Sequence, residues 1–266
     1  MSLGLGAQMG KGGIVKSIPT HVTDNLKMLH RYNTGSVVPV SDGSIYFDGS
    51  ASHAYSAAET ITGDITISLW AKPDFDNTRG GNTLFNFGGQ SSTDGYLWLY
   101  IDYDDVRAQY VPDGVGNYAY WRWDDHYESG EFYKWTHWTY VYDKSETRPM
   151  TIYKNGASLG VADSESGEDG GAATGAGADI TSETWTIGAY NYASESAQFK
   201  GNICNFGVWN SVLTQAQIKS IMFSDYESAK SAISNPVHWW AFNEAVGETT
   251  AVDQGSAGLN LTVVGS

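Results

Sequence analysis

Between residues 44 and 264 the chain repeats one pattern: a short run of alternating apolar and polar residues, then a residue that breaks it. Ile65–Lys72 places Ile65, Ile67 and Leu69 on one face and stops at Pro73. Tyr96–Asp102 places Leu97, Leu99 and Ile101 on one side and Trp98 and Tyr100 on the other. Successive side chains of a strand point to opposite faces, so this period of two marks strands whose faces meet different surroundings. Ser44–Asp48, Thr83–Phe87, Val106–Val111, Tyr118–Trp123, Thr136–Tyr142, Trp185–Gly188, Phe199–Trp209, His238–Phe242 and Leu259–Val264 continue the series. In Met150–Leu159, Asn155-Gly156 separates two such runs and supplies the positive-φ residues of a type I′ turn, which predicts a hairpin. One short helix is expected near the C-terminus: Thr214-Gln-Ala-Gln217 matches a capping box, with Ile218, Ile221 and Met222 as its apolar stripe. The fold class is therefore all-β.

Composition narrows the chemistry. Aromatic residues make up 14% of the 266 positions, with ten Trp and seventeen Tyr, and such rings suit half-buried pleated surfaces and sugar or protein contacts. The formal net charge of −15 repels phosphate backbones and argues against nucleic acid as a partner. A single cysteine, Cys204, cannot close an internal disulfide, and its run Ile203-Cys204-Asn205-Phe206 reads as core. No run approaches 18 consecutive apolar residues, so membrane insertion is not expected. The opening MSLGLGAQMGKGG lacks a secretory apolar region, which leads to an expectation of synthesis in a cytoplasm.

Residues 1–32 differ from the rest. Glycines at 4, 6, 10, 12 and 13 alternate with small and apolar residues, and Lys11 and Lys16 flank Ile14 and Val15. Two readings stand: a disordered leader, or an extended arm that orders on a neighbouring subunit through Lys11, Ile14, Val15 and Lys16. Residues 33–266 are expected to close into one domain, because a C-terminal strand in a sandwich usually pairs back near the N-terminal one.

The order of signals resembles the laminin-G-like, concanavalin A-like jelly-roll family. The matching pieces are Tyr46-Phe-Asp-Gly49, Ile65–Lys72 around Trp70, Trp135–Asp143, Ile152-Tyr-Lys-Asn-Gly156, Thr186-Ile-Gly188, Phe199-Lys-Gly201 and Val208–Ile218. The resemblance implies a two-sheet antiparallel sandwich with a lectin-like surface. His238–Glu244 is similar to a strand that usually precedes the FDG strand in that family; here it lies at the C-terminus, a departure. The opening, with Ser36–Gly43, is similar to structural proteins of tailed bacteriophages. That second resemblance implies a non-enzymatic virion component, a capsid decoration or fibre piece, anchored to other virion proteins through the arm and made in the host cytoplasm. Such accessories occupy symmetric positions, which raises a homo-oligomer as an expectation, although no heptads specify a trimer. The alternative is a glycan-binding lectin module for attachment to cell surfaces.

The search for catalytic and binding chemistry ends on one segment. Glycosidases of jelly-roll type commonly carry a Glu-x-Asp-x-x-Glu strand, and none of the glutamates here is followed by Asp two positions later. Glu128/Glu131 and Glu165/Glu168 lie in Glu-Ser-Gly-Glu turns, which suit solvated charge better than catalysis. The six histidines form no zinc-type cluster, and no cofactor is expected. Asp102, Asp104 and Asp105 place hard oxygens close together, so calcium stands beside a solvated turn as a reading there. The run Tyr118, Tyr120, Trp121, Arg122, Trp123, Asp124, Asp125 and Tyr127 is the candidate contact surface for glycan or protein, its rings stacking and its charges bonding hydroxyls. An ordinary strand is the competing reading of the same alternation.

Overall fold

The computed structural model describes residues 29–31, 36–38, 41, 43–76, 78–89, 95–111, 119–127, 131–166, 179–190 and 197–265. In chain order the strands are β1 (Leu29–Arg31), β2 (Ser36–Val38), β3 (Ile45–Asp48), β4 (His53–Ile61), β5 (Ile65–Pro73), β6 (Asn82–Gly88), β7 (Tyr96–Asp102), β8 (Asp105–Val111) and β9 (Ala119–Trp123). They continue as β10 (Thr136–Tyr142), β11 (Met150–Lys154), β12 (Ala157–Ser158), β13 (Ser164–Ser166), β14 (Ile180–Ile187) and β15 (Lys200–Trp209). Two helices, α1 (Gln215–Ile221) and α2 (Tyr226–Ala232), precede β16 (His238–Trp240), β17 (Thr250–Ala251) and β18 (Leu261–Val264).

These strands build two antiparallel sheets. The smaller runs β12-β11-β10-β5-β15-β16, with β3 also paired to β15; the larger runs β13-β9-β8-β7-β6-β14-β4-β18-β17. The short pair β1–β2 forms a separate ribbon that straddles residue 32. The C-terminal β18 pairs with β4, so the end of the chain is built into the large sheet beside one of its earliest strands.

Alternation places one face of each sheet against the other. Phe85 and Trp185 of the large sheet meet Tyr140, Phe206 and Trp240 of the small one, with Phe85–Phe206 centroids 5.4 Å apart at 90° and Trp185–Trp240 6.2 Å apart. Edge-to-face packing of this kind favours the aromatic quadrupoles beyond simple area burial. Asn155 and Gly156 adopt φ of 50° and 73°, the two left-handed residues the hairpin turn requires.

The outer face of the small sheet is covered by the helices. A second apolar cluster of Val141, Trp209, Leu213, Ile218, Ile221, Ala229, Trp239 and Ala241 fills that layer. The Thr214–Gln217 capping box is present at α1, and the Trp70 indole donates to the carbonyl of Met222 at 2.8 Å. Two helices stand where one was expected. Asp225 starts the second by accepting from the Ser228 amide at 2.8 Å, a cap whose following turn carries little apolar periodicity. His137 lies in this layer with Nε2 2.8 Å from the Ser68 hydroxyl, and burial pushes its pKa down to about 3.

A charged clamp ties the sheets to the chain's end. His238 of the small sheet is 1% exposed; its Nε2 lies 2.8 Å from Glu59 of β4 and its Nδ1 2.8 Å from Asp253. Burial alone would lower the His238 pKa, but hydrogen bonds to Asp253 and Glu59 outweigh it and raise the value to about 9. Asp253 also accepts from the amides of Trp239, Gly255 and Leu259, each at 2.8 Å. The imidazole stacks on Trp240 at 4.8 Å, and the Trp185 indole donates to the same Glu59.

Candidate functional site on the outer face of the large sheet

The large sheet's second face carries no helices among the described residues. Its side chains follow from strand register. Across seven strands the partners Thr262, Tyr55, Thr186, Asn86, Trp98, Gln109 and Tyr120 lie in one row. Two residues further along β7, Thr83, Tyr100, Arg107 and Arg122 form a second row, and Asp102 and Asp105 close the end of the β7–β8 hairpin. Leu97, Leu99 and Ile101 are fully buried on the opposite, core side, which fixes the direction of the alternation.

An aromatic cluster occupies the centre. Trp98 and Tyr100 stack with centroids 3.8 Å apart at 17°, and Tyr190, from the loop after β14, lies 4.4 Å from Trp98. The Trp98 indole donates to the Thr83 hydroxyl at 2.9 Å, which holds the ring in place. Burial raises the Tyr100 and Tyr190 pKa values, so both hydroxyls stay protonated and able to donate across the neutral range.

Beside these rings lie polar atoms with nothing to bond. Asn86 and Thr186 are 0% exposed, yet Asn86 Oδ1 and Thr186 Oγ1 have no hydrogen-bond partner, and Thr184 Oγ1 on the same face is likewise unpaired. A buried polar group left unsatisfied costs roughly 1–3 kcal/mol, and these atoms are enclosed by the neighbouring side chains.

One end of the face is a charge ladder. Arg107 lies 2.8 Å from Asp102 and 3.4 Å from Asp105; Arg122 lies 3.9 Å from Asp105 and 2.5 Å from Asp124. Burial raises the Asp105 pKa, Asp124 adds to the effect, and the two arginines oppose it. Burial would lower the Arg107 pKa, but Tyr100 and Asp102 raise it.

The contact run expected from sequence is split by this geometry. Tyr120 and Arg122 lie on the outer face, whereas Trp121 and Trp123 point into the core at 2% and 0% exposure. The expectation that these two indoles stack on a ligand is corrected: with Tyr120 and Arg122 outward, period two turns both inward, and the Trp123 indole donates to the carbonyl of Gly160. Tyr127 is also buried, packed on Phe132 and Trp138 beneath the Lys154 ammonium. Asp124 pairs with Arg122, and Asp125 is exposed in a turn with φ of 55°. Tyr118 lies outside the described residues, as do Lys11, Ile14, Val15 and Lys16.

Of the three aspartates read as a calcium site, Asp102 and Asp105 both face the Arg107 guanidinium, which supplies the positive charge there; Asp102 further accepts from the Gly81 amide at 3.0 Å. Asp104 contributes a backbone carbonyl to the Tyr127 amide, 2.9 Å away. Among the described residues no group of three His, Cys, Asp or Glu side chains is arranged to hold a metal ion. Sequence reasoning misses Trp98, Tyr100 and Tyr190 as a site. A signal for the first two exists, since they occupy the polar side of an alternating strand whose other side is all aliphatic.

Comparison with known proteins places this geometry in a family. A laminin-G-type family model, described as the Concanavalin A-like lectin/glucanases superfamily, matches residues 47–219. No curated protein matches the chain. Among solved structures it is similar to a heptameric SAP-like pentraxin from Limulus polyphemus, at 19% identity over 70% of this chain and 83% of that one, with a TM-score of 0.43. It is also similar to a putative carbohydrate binding protein from Bacteroides ovatus, at 15% identity over 81% and 59% of the two chains, TM-score 0.48. A third is the CBM40 of an IT-sialidase from Ruminococcus gnavus bound to α2,3-sialyllactose, at 13% identity over 68% and 96%, TM-score 0.47. With the two-sheet antiparallel sandwich, the order of its strands and a family match over most of that sandwich in hand, the chain belongs to the concanavalin A-like lectin/glucanase superfamily.

Proposed function

We propose that this protein is a non-catalytic glycan-binding module whose contact surface is the outer face of the large sheet, centred on Trp98, Tyr100 and Tyr190. The observation that carries this reading is the aromatic platform itself, in which half-buried Trp98 and Tyr190 meet beside Tyr100 on a face whose neighbouring row is of uncharged polar and aromatic side chains. Pyranose rings present C–H faces that stack on indole and phenol, and hydroxyls that bond polar side chains at the edge of such a platform. A non-catalytic role is supported by the carboxylates of the Glu-Ser-Gly-Glu turns: Glu131 binds the Lys154 ammonium and Glu165 lies 3.4 Å from Arg148. Their partners Glu128 and Glu168 lie outside the described residues. The residues expected to anchor a virion component, Lys11, Ile14, Val15 and Lys16, lie outside the described residues, and the glycan-binding reading rests on the outer face alone.

The test is a glycan array probed with the full chain, in calcium and in chelator, beside Trp98→Ala. Binding that falls at least tenfold in the variant, with the thermal midpoint kept within a few degrees, supports the proposal. Binding unaffected by Trp98→Ala, or no binding to any glycan, overturns it.

A further inference from the structure

The charge ladder beside the aromatic cluster bears on which glycans the face accepts. We infer that the outer face selects uncharged, hydroxyl-rich saccharides and discriminates against acidic ones, because its two arginines are already held by three carboxylates. The inference rests on the glycan-binding reading above and names the ligand class of that site.

Recognition of a carboxylate or sulfate on a sugar calls for a guanidinium whose N–H groups are free to fork onto the anion. Here Asp102, Arg107, Asp105, Arg122 and Asp124 alternate in sign across β7, β8 and the β9 turn, with contacts of 2.8, 3.4, 3.9 and 2.5 Å in that order. All five side chains are partly shielded, at 18–41% exposure, so their pairing is screened less than that of fully exposed ions. Arg107 meets both its carboxylates through Nη2 and the Nε of each arginine is buried without a hydrogen-bond partner, so an incoming anion would approach guanidiniums flanked by Asp102, Asp105 and Asp124. Three carboxylates against two guanidiniums leave the ladder net negative. A neutral polyol meets no such barrier: carboxylate oxygens accept from its hydroxyls, and the ladder stays intact. The other polar side chains in these rows, among them Asn86, Thr186, Gln109 and Tyr100, are uncharged, so they add no attraction for an anion.

The experiment compares a neutral saccharide with its acidic forms: lactose with 3′-sialyllactose, and lactose with 3′-sulfolactose. Binding is measured for the intact chain, Trp98→Ala and Asp105→Asn. The expected result is Trp98-dependent binding to a neutral member at least tenfold tighter than to its acidic counterpart. Asp105→Asn is expected to narrow that gap threefold or more by removing the carboxylate shared by both arginines. Tighter Trp98-dependent binding of the acidic members overturns the inference while leaving the glycan-binding reading in place. A gap unchanged in Asp105→Asn also overturns it, since the ladder then does not set the preference. Absence of all binding, or binding indifferent to Trp98→Ala, overturns the glycan-binding reading itself and the inference with it.

Discussion

The buried Glu59–His238–Asp253 clamp makes the stability of this sandwich depend on pH in a window where few other groups act. In the folded protein His238 holds its proton up to about pH 9, whereas an unfolded chain releases it near 6.5. The clamp's contribution is therefore complete below pH 6.5, declines between 6.5 and 9, and is lost above 9. A gap between 6.5 and about 9, at about 1.36 kcal/mol per pH unit, corresponds to about 3 kcal/mol. The site justifies a figure of that size because the imidazole is 1% exposed and the side chain of Asp253 is 0% exposed. The assay is urea unfolding followed by tryptophan emission at half-unit intervals from pH 6 to 9, on the native chain and His238→Gln. The native chain is expected to lose about 3 kcal/mol across the window. His238→Gln is expected to start several kcal/mol less stable, because Asp253 stays buried and Glu59 half-buried without a cation, and to change by under about 1 kcal/mol. Cys204 does not confuse the comparison: burial pushes its thiol up to about 12, and its effect is common to both proteins. Two parallel curves would refute the reasoning, for the slope would then arise elsewhere.

Other outcomes follow from the same geometry. Trp123→Ala removes a fully buried indole and is expected to cost about 3–5 kcal/mol, read as a drop in the unfolding midpoint, while Trp98→Ala, at a half-buried ring, costs less and acts on binding. Gly201 sits at φ of 142°, and a Cβ there would run into the carbonyl oxygen of Lys72, so Gly201→Ala is expected to lower stability by more than about 2 kcal/mol in thermal unfolding. Asp225→Ala deletes the cap of α2 and is expected to cost about 1 kcal/mol, with Asp225→Asn recovering most of it. His137, neutral in the fold, acts with the opposite sign to His238. Its burial makes the protein less stable as pH falls below 6.5, and His137→Gln is expected to flatten the acid side of the curve, apart from the carboxylates.

Strands with strong alternation are legible in the amino-acid order alone: β5, β7, β10 and the Asn155-Gly156 hairpin follow from period two and turn chemistry. β4 is not, although it is nine residues long and lies between β14 and β18. Its sequence HAYSAAETI is rich in Ala, Ser and Glu, and two register shifts against β14 break the alternation. The site is half legible for a related reason. Alternation says that Trp121 and Trp123 share a face, but the segment Tyr118–Tyr127 has large rings on both faces, so residue type does not say which face is inside. The register against β8 decides it, by placing Trp121 opposite Ala108 and Trp123 opposite Val106, both core residues. Tyr190 can be found only in space, since it arrives over Trp98 from a loop far away in sequence.

The pairing of β18 with β4 and of β3 with β15 carries an architectural consequence. Ser44, Ile45 and Tyr46 line the same groove as Gly265, and the backbone of Gly265 runs close to Ser52. The sandwich thus begins and ends at one corner, like a loop of cord with both ends in one hand. A short linker from Gly265 to Gly43, with new ends opened in the exposed stretch 144–148 between β10 and β11, would preserve the pairings of both sheets. The same corner lets the sandwich be grafted into a surface loop of a host protein without stretching either, which makes it a transferable cassette.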